Sequence, residues 1–118
     1  MLFTKNSIPE LILLILWILR KRLRFRVTGA SMTPLLKPGE EILIDPRAYR
    51  HMPPKVGDIV VARHPYRKQL RLVKRVTVVL EDGRCFLQGD NPIESTDSRS
   101  FGLVDSQQII GKVTSRFF

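Results

Sequence analysis

Apolar positions along this chain form one run of helical length, followed by a series of short runs bounded by turn residues. Ile8 to Leu19 reads IPELILLILWIL and is closed by Arg20-Lys21-Arg22. Beyond it the apolar runs shorten and Gly, Pro and Asp punctuate them. Phe25–Thr28, Glu41–Ile44, Asp58–Ala62 and Ile109–Ser115 are strand candidates, each with turn signals nearby such as Pro38-Gly39, Asp45-Pro46 and Gly57. Leu70–Leu80 is the longest run. Asp82-Gly83 follows it, so Thr77–Leu80 and Arg84–Gln88 are expected to pair as a hairpin. Arg47–Lys55, with Met52-Pro53-Pro54, reads as a loop. The pattern predicts a small, mainly β fold carrying a short amino-terminal apolar helix. Residues 1–24 form the apolar segment with its basic cluster, and 25–118 form one domain.

As a helix, Ile8–Leu19 spans about 18 Å, short of the roughly 30 Å hydrocarbon core of a bilayer. Extending it to Met1 buries Lys5, Asn6 and Glu10. It does not read as a cleaved secretory leader, because its positive charge follows the apolar run and no small-residue site comes after. Arg20, Lys21, Arg22, Arg24 and Arg26 lie on the carboxyl side and only Lys5 precedes the run. That asymmetry keeps the following domain cytoplasmic wherever the segment meets a membrane. Two readings stay open: a peripheral anchor on anionic lipid, and a helix packed on the domain. A single-pass arrangement is the alternative localisation.

The composition sharpens this picture. The 118 residues carry 20 Lys and Arg against 11 Asp and Glu, a balance that suits an anionic membrane surface or nucleic acid. No stacking-aromatic motif supports nucleic acid, and none is expected as a partner. Cys85 is the only cysteine, so no intramolecular disulfide can form. It and the two histidines, His51 and His64, make no metal-site spacing, and no metal or other cofactor is expected.

Three segments carry candidate chemistry. Ser31 sits in Thr28-Gly29-Ala30-Ser31-Met32-Thr33-Pro34, where small neighbours leave the hydroxyl open and Pro34 disfavours helix at Thr33. A backbone amide near Ser31 could serve a developing oxyanion; an ordinary loop serine is the plain alternative. Read at period two, Leu70–Leu80 puts Leu70, Leu72, Lys74, Val76, Val78 and Leu80 on one face. Lys74 is the single charge there, either a snorkelling edge residue or an amine whose pKa is lowered by burial. The third segment, Gly89 to Gly102, is dense in polar residues that are costly to order unless they bond one another. A Ser–His–Asp arrangement using His51 or His64 is the competing catalytic reading. A non-catalytic basic module on lipid is the reading from another class.

Taken together, Ser31-Met32-Thr33-Pro34, Leu72-Val73-Lys74-Arg75-Val76 and Gly89-Asp90-Asn91…Ser95-Thr96-Asp97-Ser98-Arg99 resemble the signal-peptidase-I type of serine protease, across roughly Arg26 to Phe118. The resemblance implies the small catalytic β fold shared by signal peptidases and LexA, with Ser31 as nucleophile and Lys74 as general base. It implies that Met32 lies beside the substrate pocket, that Ser95 bonds the lysine, and that Asp97 pairs with Arg99 to hold the loop. Asp90, Asn91 and the Gly57-Asp58 pair are expected to be architectural. The implied partner is a protein precursor whose propeptide or signal peptide is removed.

The chain departs from that family in several places. Gly29 stands where some members carry a serine that donates to the oxyanion. Leu35 replaces a common threonine and Pro92 a common arginine. Only fourteen residues separate Lys74 from Gly89, too few for the large second β domain of many bacterial signal peptidases. Gly89-Asp90-Asn91-Pro92-Ile93-Glu94-Ser95-Thr96-Asp97-Ser98-Arg99 in so compact a chain is similar to the maturation proteases of nickel-type superoxide dismutase. That resemblance implies trimming of the dismutase propeptide, with the nickel belonging to the substrate. Self-cleavage of the LexA type is disfavoured, since LexA has no counterpart of the Gly89–Gly102 segment and no Ala-Gly site lies upstream here.

Overall fold

A computed structural model describes residues 9–93 and 96–116. Helix α1 (Glu10–Arg20) leads into strand β1 (Leu23–Arg26), and β2 (Glu41–Asp45), β3 (Ile59–Arg63), β4 (Arg71–Val79) and β5 (Cys85–Gln88) follow. A four-residue helix, α2 (Ser98–Phe101), and one 3₁₀ turn (Ser106–Gln108) precede the last strand, β6 (Ile109–Arg116). The strands form one sheet in the order β1-β2-β6-β3-β4-β5, with every pair antiparallel. The fold is mainly β with a short amino-terminal helix.

The core follows from strand periodicity. In β3, Val60 and Ala62 pack with Val76, Cys85, Leu87 and Val104, while Val61 points to the other face. There it joins Val27, Met32, Leu36, Ile42, Ile44 and Val73. A strand covered on both faces reads as the unbroken apolar run seen in Ile59–Ala62. Burying each of the Val, Leu, Ile and Met side chains among them contributes roughly 1.5–3 kcal/mol.

β1 starts and ends two residues earlier than expected, because its ladder runs from Leu23↔Ile44 to Arg26↔Glu41 before the chain turns at Gly29. The larger departure lies in β4. Its period-two reading holds from Leu72 to Val76 and then fails. Val76 faces Leu87 and Val78 faces Phe86, leaving Thr77 as an extra residue in a bulge. The slip moves Val78 to the surface and packs Val79 against the core. The Asp82-Gly83 hairpin forms as expected, with Gly83 at φ +89°.

From Leu11 to Trp17, seven successive apolar side chains of α1 stand 42–67 % exposed, so this stretch is not packed into the sheet. Among the described residues, no helix is long and apolar enough to cross a membrane. The basic segment after it is partly neutralised. Arg24 and Arg26 both pair with Glu41, and Arg22 lies 3.5 Å from Asp45. Lys21 rests its ammonium 4.2 Å from the centre of the Trp17 ring.

Candidate active site

β1 and β4 are far apart in the order of the sheet, yet the segment after β1 closes against β4. Val27, Met32 and Val73 share one core cluster. Between the two segments lies a crevice of about 210 Å³, walled by Phe25 and Val27–Met32 on one side, Leu70–Lys74 on the other, and Thr96. Ser31 and Lys74 both line it.

Ser31 stands at the head of a turn. The Thr33 amide donates to the Ala30 carbonyl (3.1 Å) and the Leu36 amide to the Met32 carbonyl (2.9 Å). Met32, 1 % exposed, anchors the turn in the core and also borders the crevice. Gly29 adopts φ +78° with open space where a Cβ would stand. A serine there would fit sterically but would have to accept a left-handed backbone.

Lys74 sits in mid-strand, opposite Val60 and 3 % exposed. Burial lowers its pKa below the ordinary lysine value. The Asp97 carboxylate opposes that shift and the Arg99 guanidinium assists it. Of the two structural readings of Lys74, the geometry is that of a buried amine rather than an edge residue reaching for water.

The Gly89–Gly102 segment ties these parts together. The Asp90 carboxylate accepts two bonds from Arg75, the neighbour of Lys74, at 2.9 Å each. The next residue, Asn91, donates its backbone N–H to the Ser31 carbonyl (2.8 Å) and its side-chain amide to Thr33 Oγ1 (3.1 Å). One dipeptide thus links the strand of the lysine to the turn of the serine. Asp97, 1 % exposed, accepts from the Gly89 amide (2.9 Å), from the Arg99 amide (3.0 Å), which caps α2, and from the Arg99 side chain (2.6 and 3.0 Å). The role expected of Ser95 falls outside the described residues.

Neither histidine lines the crevice. His64 is buried, accepts the Tyr66 and Arg67 amides at Nδ1 (3.1 Å each) and packs edge-on against Phe101. His51 borders a separate cavity with Met52, Pro53 and Pro54. Among the described residues, no three His, Cys, Asp or Glu side chains converge as metal ligands. The Gly57-Asp58 pair holds a loop, with Asp58 accepting from the Tyr49 hydroxyl (2.7 Å) and the Lys55 amide (3.0 Å).

Sequence reasoning missed one feature of the site. β3 pairs with Arg71–Arg75, whereas β5 covers only Arg75–Val79. The β4 edge from Arg71 to Lys74, on the side away from β3, therefore has no strand beside it among the described residues. Only the short length of β5 hinted at this.

Comparison with known proteins gives a consistent picture. The family description "Signal peptidase, peptidase S26" matches residues 3–79 and 77–118, and the division falls at the end of β4. The probable signal peptidase I-1 of Synechocystis is 28 % identical, covering 98 % of this chain and 83 % of the relative. The mitochondrial ATP-independent inner membrane protease subunit 1b of Arabidopsis thaliana is 34 % identical over 75 % of this chain, which spans 65 % of that relative's length. Signal peptidase IB of Staphylococcus aureus is 50 % identical over 34 % of this chain and 21 % of its own length.

Proposed function

Because the chain belongs to the signal peptidase family, peptidase S26, we propose that it is a serine endopeptidase in which Ser31 is the nucleophile and Lys74 the general base. The observation that carries this reading is the buried amine of Lys74, its pKa lowered by desolvation, on the wall of the crevice that Ser31 also lines. A serine hydroxyl needs a base to take its proton, and a lysine can do so only when its ammonium is disfavoured. Ser31 Oγ attacks the scissile carbonyl as neutral Lys74 accepts its proton. Backbone amides at the Ser31 turn steady the oxyanion. The ammonium then protonates the leaving amine, and water releases the acyl-enzyme with Lys74 again acting as base. Ser95, Asp97 and Arg99 hold the lysine and its loop, and Gly29 and Met32 shape the serine side. The precursor lies extended along the uncovered β4 edge, where main-chain pairing needs little sequence.

The substrate we favour is a nickel superoxide dismutase precursor, trimmed of its amino-terminal propeptide. The run Gly89-Asp90-Asn91-Pro92…Ser98-Arg99 and the short connection between β4 and β5 support it. A second reading, cleavage of secretory signal peptides, is favoured by the names of the relatives. The exposed apolar residues of α1 and the basic residues after it support a peripheral seat on the cytoplasmic face of an anionic membrane.

The test is co-expression with the dismutase precursor and, separately, with a secretory precursor, reading product amino termini by mass spectrometry. Trimming of the dismutase precursor by wild type, and by neither Ser31→Ala nor Lys74→Ala, is the expected result. Trimming of the secretory precursor alone transfers the assignment to signal peptides. No trimming of either by folded protein removes the peptidase reading and leaves a basic lipid-binding module.

A further inference from the structure

Next to the Ser31 crevice lies a second, larger cavity of about 650 Å³, lined by Arg63, Lys68, Gln69, Arg71, Gln107 and Gln108. Its lining holds three cations and no acid. Arg63 ends β3 directly opposite Arg71 on β4. Like charges placed across a ladder repel unless an anion lies between them. All three cations are exposed, and none forms an ion pair with a described residue.

Arg71 lines both cavities, so they adjoin at that residue of β4. It precedes Lys74 by three residues, about 10 Å of extended chain. A peptide laid on the uncovered Arg71–Lys74 edge with its scissile bond at Ser31 reaches Arg71, the residue the two cavities share, three or four residues away, and Arg63 faces Arg71 from the other side of β4. No residue of α1 or β1 lines it, which favours a peptide over a lipid headgroup as occupant.

We propose that the Arg63–Lys68–Arg71 cavity is an anion subsite that receives a side-chain carboxylate of the substrate, three or four residues from the scissile bond. Gln69, Gln107 and Gln108 complete the polar lining and can donate to that carboxylate. This inference rests on the peptidase reading above and adds a selection rule to it: precursors acidic at that distance are cleaved in preference to neutral ones.

The test uses the full chain and paired peptides spanning the cleavage site mapped on the precursor. The pair differs only in carrying Glu or Gln three and four residues from the scissile bond, on each side in turn. Wild type is expected to favour one Glu peptide by about tenfold in kcat/KM, the size that two exposed ion pairs supply. High salt should erase the preference. Arg63→Gln/Lys68→Gln should lose it while cleaving the Gln peptide at the wild-type rate. Arg47→Gln/Arg50→Gln, with the same charge removed elsewhere, should keep it. Equal rates on both peptides by wild type, or equal loss in the control variant, overturns the subsite. So does a double variant that stops sedimenting with phosphatidylglycerol vesicles while wild type treats the two peptides alike, which makes the cavity a lipid site. A wild type that cleaves no precursor refutes the peptidase reading instead. The subsite is then decided by fluorescence anisotropy of labelled oligoglutamate against oligoglutamine. Binding of the first alone, lost in Arg63→Gln/Lys68→Gln and kept in the control, supports it, and equal binding of both refutes it.

Discussion

The serine and the lysine of this crevice are held in opposite ways. Lys74 lies in the middle of β4, with β3 beside it and core valines around it. Its low exposure comes with its place in the sheet, and that burial is the main cause of its lowered pKa. Ser31 lies on a turn outside the sheet, fixed by Met32 below and by the Asn91 bonds from a distant loop. A base has to be desolvated, which rigid strands do well. A nucleophile has to be reachable, which requires a loop, and a loop has to be tied.

The sharpest way to break this comparison is at the lysine. Lys74→Met keeps the side-chain volume and removes the charge from a buried site. Activity should fall roughly a hundredfold to ten-thousandfold, the range expected when a general base is lost. The melting temperature should hold or rise, since an apolar side chain no longer opposes burial. A variant that retained activity would refute the role given to Lys74. One that unfolded would show the amine to be structural.

Asp97→Ala attacks both partners through the loop between them. It removes the cap of α2 and the acceptor for the Gly89 amide, and leaves Arg99 without its carboxylate. The expected cost is about 3 kcal/mol of unfolding free energy, measured by urea titration. Asn91→Ala should separate the two sides more cleanly. The serine turn loses its side-chain tie, so kcat should drop roughly tenfold to a hundredfold, the cost of a small misplacement of reacting groups. Stability should change by only about 1 kcal/mol, and the pH dependence set by Lys74 should not move.

The same contrast explains what could be read from the chain. Lys74 was legible because period two isolates one charge among apolar neighbours, and that count holds from Leu72 to Val76. It fails at Thr77, because a bulge is set by the pairing of β4 with β5 and no single-strand pattern encodes it. Ser31 was legible only through motif resemblance, since its turn is fixed by contacts with residues sixty positions away. For the same reason Asp90 and Asn91 could be read as architectural but not as the link between the two residues. The length of its apolar run predicted that α1 is a helix. It could not show that Glu41 and Asp45 would take up Arg22, Arg24 and Arg26, because cross-strand register decides those pairs.

The smallest effect gives the finest test of the lysine side. Arg99 lowers the pKa of Lys74 by charge repulsion and also balances Asp97, whose carboxylate raises it. In Arg99→Gln the repulsion disappears and Asp97 is less neutralised, so both changes move Lys74 upward. The rate requires the neutral amine, so the rising limb of the kcat/KM–pH profile should shift to higher pH. Activity near neutrality then falls while the alkaline plateau stays where it was. Stability carries the same sign. With the folded-state pKa depressed, the unfolded chain binds the extra proton between that value and the ordinary lysine value, so wild-type stability rises with pH across this window. Arg99→Gln narrows the window and flattens that slope. A merely structural Arg99 would lower the plateau and leave the midpoint alone, so a profile measured to its plateau in both proteins separates the two roles.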